Sequence, residues 1–237
     1  RSTGITTSRL RLYPPKLLAM PLIQPPPDEQ RRIADFLDAY TAQVHLLVAA
    51  KRRTIAALNE RKQAILTELL RSGLDDVATI SGDLPWIDRR PANWLVNRLK
   101  PFVGNMTELG SSSDPSDIII TLDRVESWTG RVLDGSPLGE SFTGKRFQRD
   151  DLLFGKLRPY LAKVTRVIEA GLAGTEFLVL RGDPDVFRPR FLEQLLRSKP
   201  FIDYVASHSV GAKMPRTEWE AIASTPVAIP PLTDQDR

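Results

Sequence analysis

Residues 25–73 read PPPDEQRRIADFLDAYTAQVHLLVAAKRRTIAALNERKQAILTELLRSG, and this segment carries the strongest structural signal in the chain. After the three prolines, neither proline nor glycine occurs until Gly73. Asp28 and Glu29 lie where a helix N-terminus favours negative charge, and Gly73 lies where a helix C-terminus favours glycine. The pattern predicts one α-helix over residues 28–73, roughly 65 Å long at about 1.5 Å per residue.

Apolar side chains recur along this predicted helix, mostly three, four or seven residues apart, which is typical of a coiled coil. A helix longer than a small domain cannot bury such a stripe within that domain. We therefore expect the stripe to pair with a second helix or to dock a partner; packing inside its own domain is the alternative. We call these residues the apolar stripe: Ile33, Leu37, Tyr40, Val44, Leu47, Val48, Ile55, Leu58, Ile65 and Leu69.

The chain after the helix has a different texture. Residues 80–135 are rich in Ser, Gly, Asp and Pro, and from residue 150 onward strand-like runs alternate with turns. We therefore predict the α+β class: a mixed α/β domain preceded by one long coiled-coil-like α-helix. The four tryptophans are expected in the core or at its edge rather than in base stacking. The predicted elements are strands near 151–154, 161–168 and 177–180 and one helix near 189–198, followed by the segment 201–206.

Composition excludes several classes of protein. The 237 residues include no cysteine, so a disulfide scaffold, a cysteine-ligated zinc or iron–sulfur site and a cysteine nucleophile are excluded. The two histidines, His45 and His208, are far apart in sequence, which argues against a histidine metal site. No apolar run approaches the roughly 20 residues that span a bilayer. We expect a cytoplasmic protein with no membrane contact.

The two ends of the chain contain a repeated motif. Residues 21–32 read PLIQPPPDEQRR and residues 226–237 read PVAIPPLTDQDR, so that Gln30 aligns with Gln235 at a constant offset. The alternative is a chance similarity between proline-rich connectors. We interpret the match as the ends of two similar units, each followed by a long helix. The predicted organisation is a tail and connector at 1–27, the helix at 28–73, a domain at 74–226 and a second connector at 227–237.

Several of these blocks resemble one known family. PPPDEQRRIADFLD (25–38) and RKQAILTELLRSGLD (61–75) resemble the central spacer of the specificity subunits of type I restriction–modification systems. DLLFGKLRPYLAKV (151–164), GTEFLVLR (174–181) and GAKMPRTEWEAIASTPVAIPPLTDQ (211–235) resemble the target-recognition domain of the same family, in the family's order. The resemblance covers most of the chain.

The resemblance implies a non-catalytic recognition subunit. Specificity subunits are built from two target-recognition domains joined by two long antiparallel helices; each domain reads half of a bipartite site in double-stranded DNA. The helices dock methyltransferase subunits, to which the restriction subunits bind. S-adenosylmethionine, ATP and Mg²⁺ are expected in those partners, and no cofactor or metal is expected in this chain. We expect a fragment, an inactive gene remnant, or a half-size subunit that forms a homodimer.

The best candidate for DNA contact is the segment 145–166, because affinity for DNA comes largely from lysine and arginine contacts to phosphates. It holds seven basic side chains against two acidic ones, although the chain carries a net charge of only +4. The alternative is that the segment forms a solvated face of a strand pair. For Arg158, in LRPY, a second alternative is that it supports the fold. The candidates in this segment are Lys145, Arg146, Arg149, Lys156, Arg158, Tyr160 and Lys163.

A second candidate is GAKMPR at residues 211–216, where a glycine precedes Lys213 and Arg216. The alternative here is a turn that supports the last helix. Thr107 and residues 111–113 form a polar stretch suited to hydrogen bonds with bases or phosphates. Lys51, Arg52 and Arg53 on the helix are expected to be solvated or to contact a partner, with contact to DNA as the alternative.

Motifs for catalysis are missing from the sequence. An Asn/Asp-Pro-Pro-aromatic tetrapeptide, a glycine-rich methyl-donor loop and a complete GxxxxGK[ST] phosphate loop are all absent. We therefore expect no catalysis by this chain. A coiled-coil adaptor that does not bind DNA and a generic DNA-binding regulator are the alternatives. The first would show no salt-dependent affinity for DNA, and the second would not co-purify with a methyltransferase.

Overall fold

The structure is a computed structural model that describes residues 13–75, 77–114, 116–134, 141–211 and 213–237. The described chain falls into two compact units that divide after Ala56. The predicted domain boundaries stay predictions, and the first twelve residues of the predicted tail lie outside the described residues. In the described part of the chain, no helix is both long enough and apolar enough to cross a lipid bilayer.

The predicted long helix is confirmed. After a short helix α1 (Pro14–Leu18), helix α2 runs without interruption over Pro27–Ser72. Pro27 occupies the first helical position, where a missing backbone N–H leaves no hydrogen bond unmade. At the other end Gly73 adopts φ +75°, and its N–H donates to the Leu69 carbonyl at 2.9 Å. This left-handed residue ends the helix where the sequence predicts.

The side chains of the apolar stripe on α2 are all between 37% and 60% exposed. Two other leucines of the same helix, Leu66 and Leu70, pack against the hydrophobic core of the second unit. The contact between helix and core therefore uses positions one residue after Ile65 and Leu69, and the stripe itself stays accessible. Its pairing or docking role stays a prediction.

The second unit is a mixed α/β domain, which confirms the predicted fold class. Two four-stranded sheets have the orders β5-β7-β10-β6 and β4-β11-β8-β9, while β1 pairs with β2 and β12 with β3. The β10–β6 pair is parallel, and the other pairs named here are antiparallel. The strands are β1 (Thr79–Leu84), β2 (Ile87–Pro91), β3 (Leu95–Arg98), β4 (Val103–Met106), β5 (Leu109–Ser112), β6 (Ile119–Ile120), β7 (Phe142–Phe147), β8 (Leu152–Gly155), β9 (Val164–Arg166), β10 (Gly171–Ala173), β11 (Phe177–Gly182) and β12 (Pro226–Ile229). The helices of this domain are α3 (Pro189–Arg197), α4 (Lys199–Ser207), α5 (Trp219–Ala223) and α6 (Leu232–Gln235).

Strands β8 and β11 form the centre of the domain, because they are buried on both faces. Successive side chains of a strand point to opposite sides, so these two strands contribute to two hydrophobic clusters. Leu153 and Val179 join the cluster that also holds Phe147 of the other sheet. Phe154 and Leu180 join the larger cluster, which includes the apolar faces of α3 and α4. The continuous apolar runs in the sequence are thus explained by burial on both sides.

The tryptophans lie where the sequence predicts. Trp86 and Trp94 are each 8% exposed, and Trp128 and Trp219 pack against the same core while partly exposed. The Trp86 indole N–H donates to the Pro226 carbonyl at 2.6 Å, which satisfies its polar atom inside the core. The tryptophans therefore serve packing in this structure, as expected.

Each of the two proline-rich connectors contains an equivalent hydrogen bond. The Gln30 side-chain nitrogen donates to the Pro25 carbonyl at 2.7 Å, and the Gln235 side-chain nitrogen donates to the Pro230 carbonyl at 2.9 Å. Gln235 also binds the backbone of residues 186–188: its nitrogen donates to the first carbonyl at 2.8 Å, and its oxygen accepts from the last N–H at 2.7 Å. The aligned glutamines thus make the same local contact, and the second is anchored to the domain as well.

Candidate nucleic-acid interface

Two predicted DNA-binding segments, which are distant in sequence, are adjacent in the structure. The Arg158 N–H donates to the Pro215 carbonyl at 2.7 Å, and the Thr217 N–H donates to the Lys156 carbonyl at 3.0 Å. These backbone bonds hold the segment after β8 against the segment before α5. We call the resulting group the basic surface; it comprises Lys145, Lys156, Arg158, Tyr160, Lys213 and Arg216.

Lys145 of β7 connects this surface to the sheet. Its ammonium group donates to the Phe177 carbonyl at 2.7 Å. The pKa of Lys145 lies below its usual value, first because the amine is partly buried and second because the positive charge of Lys156 is close. Glu176 and Glu218 act in the opposite direction. The two lysines therefore lie near enough to repel each other, with two carboxylates nearby.

Arg158 occupies an unusual backbone conformation. Its φ of 49° and ψ of 60° are left-handed, and a 3-10 turn over Pro159–Leu161 follows directly. A non-glycine residue in this region costs of order 1 kcal/mol, and such strain clusters at functional sites. In the described part of the chain no hydrogen bond or ion pair holds the Arg158 guanidinium, which is exposed. Tyr160, in the same turn, is 47% exposed.

Arg216 and Lys213 differ in how firmly they are held. The Arg216 guanidinium forms an ion pair with the Glu176 carboxylate, and both side chains are less than half exposed. Lys213 is exposed, and among the described residues its ammonium has no ion-pair partner. Gly211 precedes it with φ +109°, a conformation that favours glycine. Arg216 is thus partly neutralised, whereas Lys213 is available to an anion.

The structure separates three other predicted residues from the basic surface. Arg146 points to the side of β7 opposite its neighbour, as alternation along a strand requires. The Arg149 side chain is 74% exposed and lies beyond the end of β7. The Lys163 ammonium donates to the Leu122 carbonyl at 2.7 Å, so it supports a loop. Contact of Arg146, Arg149 and Lys163 with DNA stays a prediction, but the segment 145–166 does not form one continuous surface.

Arg146 lies instead at a cleft of about 580 Å³, which no pattern in the sequence predicted. At its mouth Arg146 Nε is 3.3 Å from a carboxylate oxygen of Glu108. Arg181, which also lines the cleft, donates two hydrogen bonds, of 2.7 and 2.8 Å, to the buried carboxylate of Asp151. Asp151 also accepts the backbone N–H of Gln148 at 2.7 Å. Other residues that line the cleft are Met106, Thr107, Ser111, Asp117, Ala170, Gly171 and Leu172.

Two residues of the polar stretch predicted to bind bases or phosphates, Thr107 and Ser111, line this cleft. The Ser111 hydroxyl lies 2.9 Å from the Thr143 hydroxyl across the β5–β7 pair. Within the described residues, no three histidine, aspartate or glutamate side chains gather in a way that could hold a metal ion. The expectations about cofactors stay predictions.

Comparison with known proteins supports the resemblance found in the sequence. No protein-family model matches the chain. Over 234 residues the chain is 26% identical to the type I restriction enzyme EcoDI specificity subunit of Escherichia coli. The alignment covers 89% of this chain and 51% of that protein, so the chain spans about half the length of this relative. The similarity to type I specificity subunits, identified first from the sequence, is confirmed.

Solved structures of the same kind are also similar to the chain. The HsdS subunit from Thermoanaerobacter tengcongensis aligns with a TM-score of 0.49 at 22% identity, over 62% of this chain and 40% of that one. A chain from a structural study of complex assembly and conformational transition of the type I R-M system aligns with a TM-score of 0.47 at 17% identity, over 90% of this chain and 50% of that one.

Proposed function

We propose that this chain is the DNA-reading part of a type I specificity subunit, and that it binds one half of a bipartite site through the basic surface. The observation that carries the proposal is the convergence of Lys156 and Arg158 with Lys213 and Arg216 from a distant segment. The class of system in this proposal is taken from the name of the curated relative, and the binding to DNA is argued from the charges of the basic surface.

The charges on the basic surface suit a phosphate backbone. Lysine and arginine side chains that neutralise phosphates release counterions, and this release supplies most sequence-independent affinity for DNA. In the described part of the chain, Lys156, Arg158 and Lys213 have no ion-pair partner, so DNA would not have to displace an internal carboxylate. Tyr160 adds an exposed ring beside them that can pack on a sugar or donate to a phosphate.

The partners in this proposal supply the chemistry. Methyltransferase subunits would bind S-adenosylmethionine, and restriction subunits, bound through them, would use ATP and Mg²⁺ in the cytoplasm. This chain would contribute recognition without catalysis. If it acts as a half-size subunit, a second copy would read the other half of the site.

The apolar stripe of α2 is the proposed docking face for the second helix or the methyltransferase subunit. Its ten side chains are more than a third exposed, and burying one leucine or isoleucine contributes about 1.5–3 kcal/mol. We predict that Leu37→Gln, Val44→Gln and Leu58→Gln together abolish co-purification with the methyltransferase subunit. Leu46→Gln is the control, because Leu46 is exposed but lies outside the stripe. An intact complex with the triple variant would contradict the docking role.

A salt titration tests DNA binding. Fluorescence anisotropy with a labelled duplex should give a dissociation constant that rises steeply with salt, with a logarithmic slope of about 0.9 for each phosphate contacted. The chain is assayed alone and with the methyltransferase subunits. Absence of salt-dependent affinity in both assays would overturn the proposal and support the adaptor.

A further inference from the structure

The cleft beside Arg146 holds side chains of complementary hydrogen-bonding type. Arg146 supplies donors, Glu108 and Asp117 supply acceptors, and Gln148 supplies both. All four side chains are exposed, so their polar ends are accessible at the mouth. In the described residues the Gln148 amide and the Asp117 carboxylate have no partner, and Arg146 has only the ion pair with Glu108.

The charge balance at the cleft argues against a phosphate as its ligand. The positive charge of Arg181, which lines the cleft, is already matched by the buried Asp151. At the mouth Arg146 is opposed by Glu108, and Asp117 adds a further negative charge. A dianionic or monoanionic ligand would therefore meet a site without net positive charge. A neutral ligand that presents both donors and acceptors fits better.

Two local features position Arg146 and Gln148 at the cleft. The Arg146 guanidinium lies over Gly110, where a Cβ would come within 2.7 Å of Nε. Gln148 is two residues further along the same side of the chain, and its backbone N–H is fixed by Asp151. Because Asp151 is 1% exposed and also binds Arg181, the start of the segment that carries Gln148 is held by a buried carboxylate.

We propose that Arg146 and Gln148, which line this cleft, read the edges of base pairs in the DNA that this domain binds. Arginine forms paired hydrogen bonds with guanine, glutamine does so with adenine, and carboxylates accept from cytosine. Glu108 masks Arg146 until a base edge replaces it. The inference rests on the proposed function and adds to it: the basic surface holds the backbone, and the cleft determines which sequence is preferred.

The test selects duplexes from a randomised library with the chain, assayed with its methyltransferase subunits if these are needed for retention, and sequences the bound fraction. Arg146→Lys keeps the charge but loses the fork-shaped pair of donors. It should therefore lower the preference at one base pair by about tenfold while the salt slope stays unchanged. Gln148→Ala should relax a different base pair. The matched controls are Arg190→Lys and Gln194→Ala, which line another groove, beside Trp94.

The outcomes separate the two proposals. Retained DNA with an unchanged sequence preference in Arg146→Lys and Gln148→Ala would overturn the role of the cleft and leave the basic surface standing. No retention of DNA by the unaltered chain would overturn the proposed function and this inference with it. Denaturant midpoints equal to that of the unaltered chain exclude misfolding as the cause of any change in preference.

Discussion

The basic surface and the cleft beside Arg146 differ in chemical character, although both include a residue of strand β7 and these residues, Lys145 and Arg146, are consecutive. Lys145 leads to a group of lysines and arginines with few internal partners. Arg146 lies at a cleft where donors and acceptors are mixed and where Arg181 is paired with the buried Asp151 carboxylate. One strand thus separates a surface suited to a repeating negative charge from a site suited to a specific pattern of hydrogen bonds.

This difference indicates that affinity and sequence preference are separable here. Contacts to phosphates depend on charge and on salt, whereas contacts to base edges depend on geometry. Variants of the basic surface should weaken binding to all sequences, and variants of the cleft should change the order of preference. The following changes test that separation.

The largest effect is expected from Asp151→Ala. The buried carboxylate accepts two hydrogen bonds from Arg181 and one from the Gln148 backbone, and its removal leaves these three partly buried donors without a partner. We predict a loss of about 2–4 kcal/mol in the free energy of unfolding, measured by urea denaturation. The control Asp203→Ala removes an exposed ion pair with Lys199 and should cost less than about 1 kcal/mol. Equal effects would show that Asp151 is not a structural support.

The next effect concerns the basic surface. Lys156→Ala with Arg158→Ala should weaken DNA binding by at least about tenfold at moderate salt and reduce the salt slope by roughly two contacts. Arg98→Ala with Arg190→Ala removes two exposed charges elsewhere in the same domain and serves as the control. The order of preferred sequences should be unchanged. If affinity does not change at low or moderate salt, the surface is not the phosphate contact.

A smaller effect separates the charge of Arg158 from its backbone. Arg158→Gly and Arg158→Ala remove the same guanidinium, but glycine tolerates the left-handed conformation. We predict equal losses of DNA affinity, with the glycine variant about 1 kcal/mol more stable than the alanine variant by denaturant unfolding. If the alanine variant is equally stable, the turn adjusts without strain.

The smallest effect is expected from Glu176→Gln. The Glu176 carboxylate is partly exposed, and its negative charge offsets the positive charges of Lys145 and Arg216. Its neutralisation should strengthen DNA binding about twofold to fivefold at low salt, and the gain should disappear as salt screens the charges. Anisotropy at two ionic strengths measures this. Weaker binding would mean that Glu176 serves mainly to orient Arg216.

Local patterns were sufficient for the main elements of the fold. The interval free of proline and glycine before Gly73 predicted α2, and the apolar runs at 151–154 and 177–180 predicted strands that the structure confirms as β8 and β11. Strands β5 and β10 read LGSS and GLA and had no such signal. Short strands rich in small residues are specified by their neighbours in space rather than by their own pattern.

The candidate site was predictable only in part. The segments 145–166 and 211–216 were both identified from their basic residues, but their contact depends on backbone bonds between residues more than fifty positions apart. The cleft is formed by polar and apolar residues of the separate segments 106–111, 117, 146–148, 170–172 and 181, and a single Glu108 or Asp117 has no distinguishing pattern in a sequence. Lys145 and Arg146 could be assigned to opposite sides of a strand only once both were known to lie within β7.

The connector glutamines have a consequence for how the chain is made. Gln30 and Gln235 each bind a carbonyl five residues earlier, and the other partners of Gln235, at residues 186–188, also precede it. During synthesis on the ribosome, every group that such a glutamine needs has therefore emerged before the glutamine itself. The first turn at Pro27 can be anchored while the remainder of α2 is still being translated, so the helix extends from a start that is already fixed.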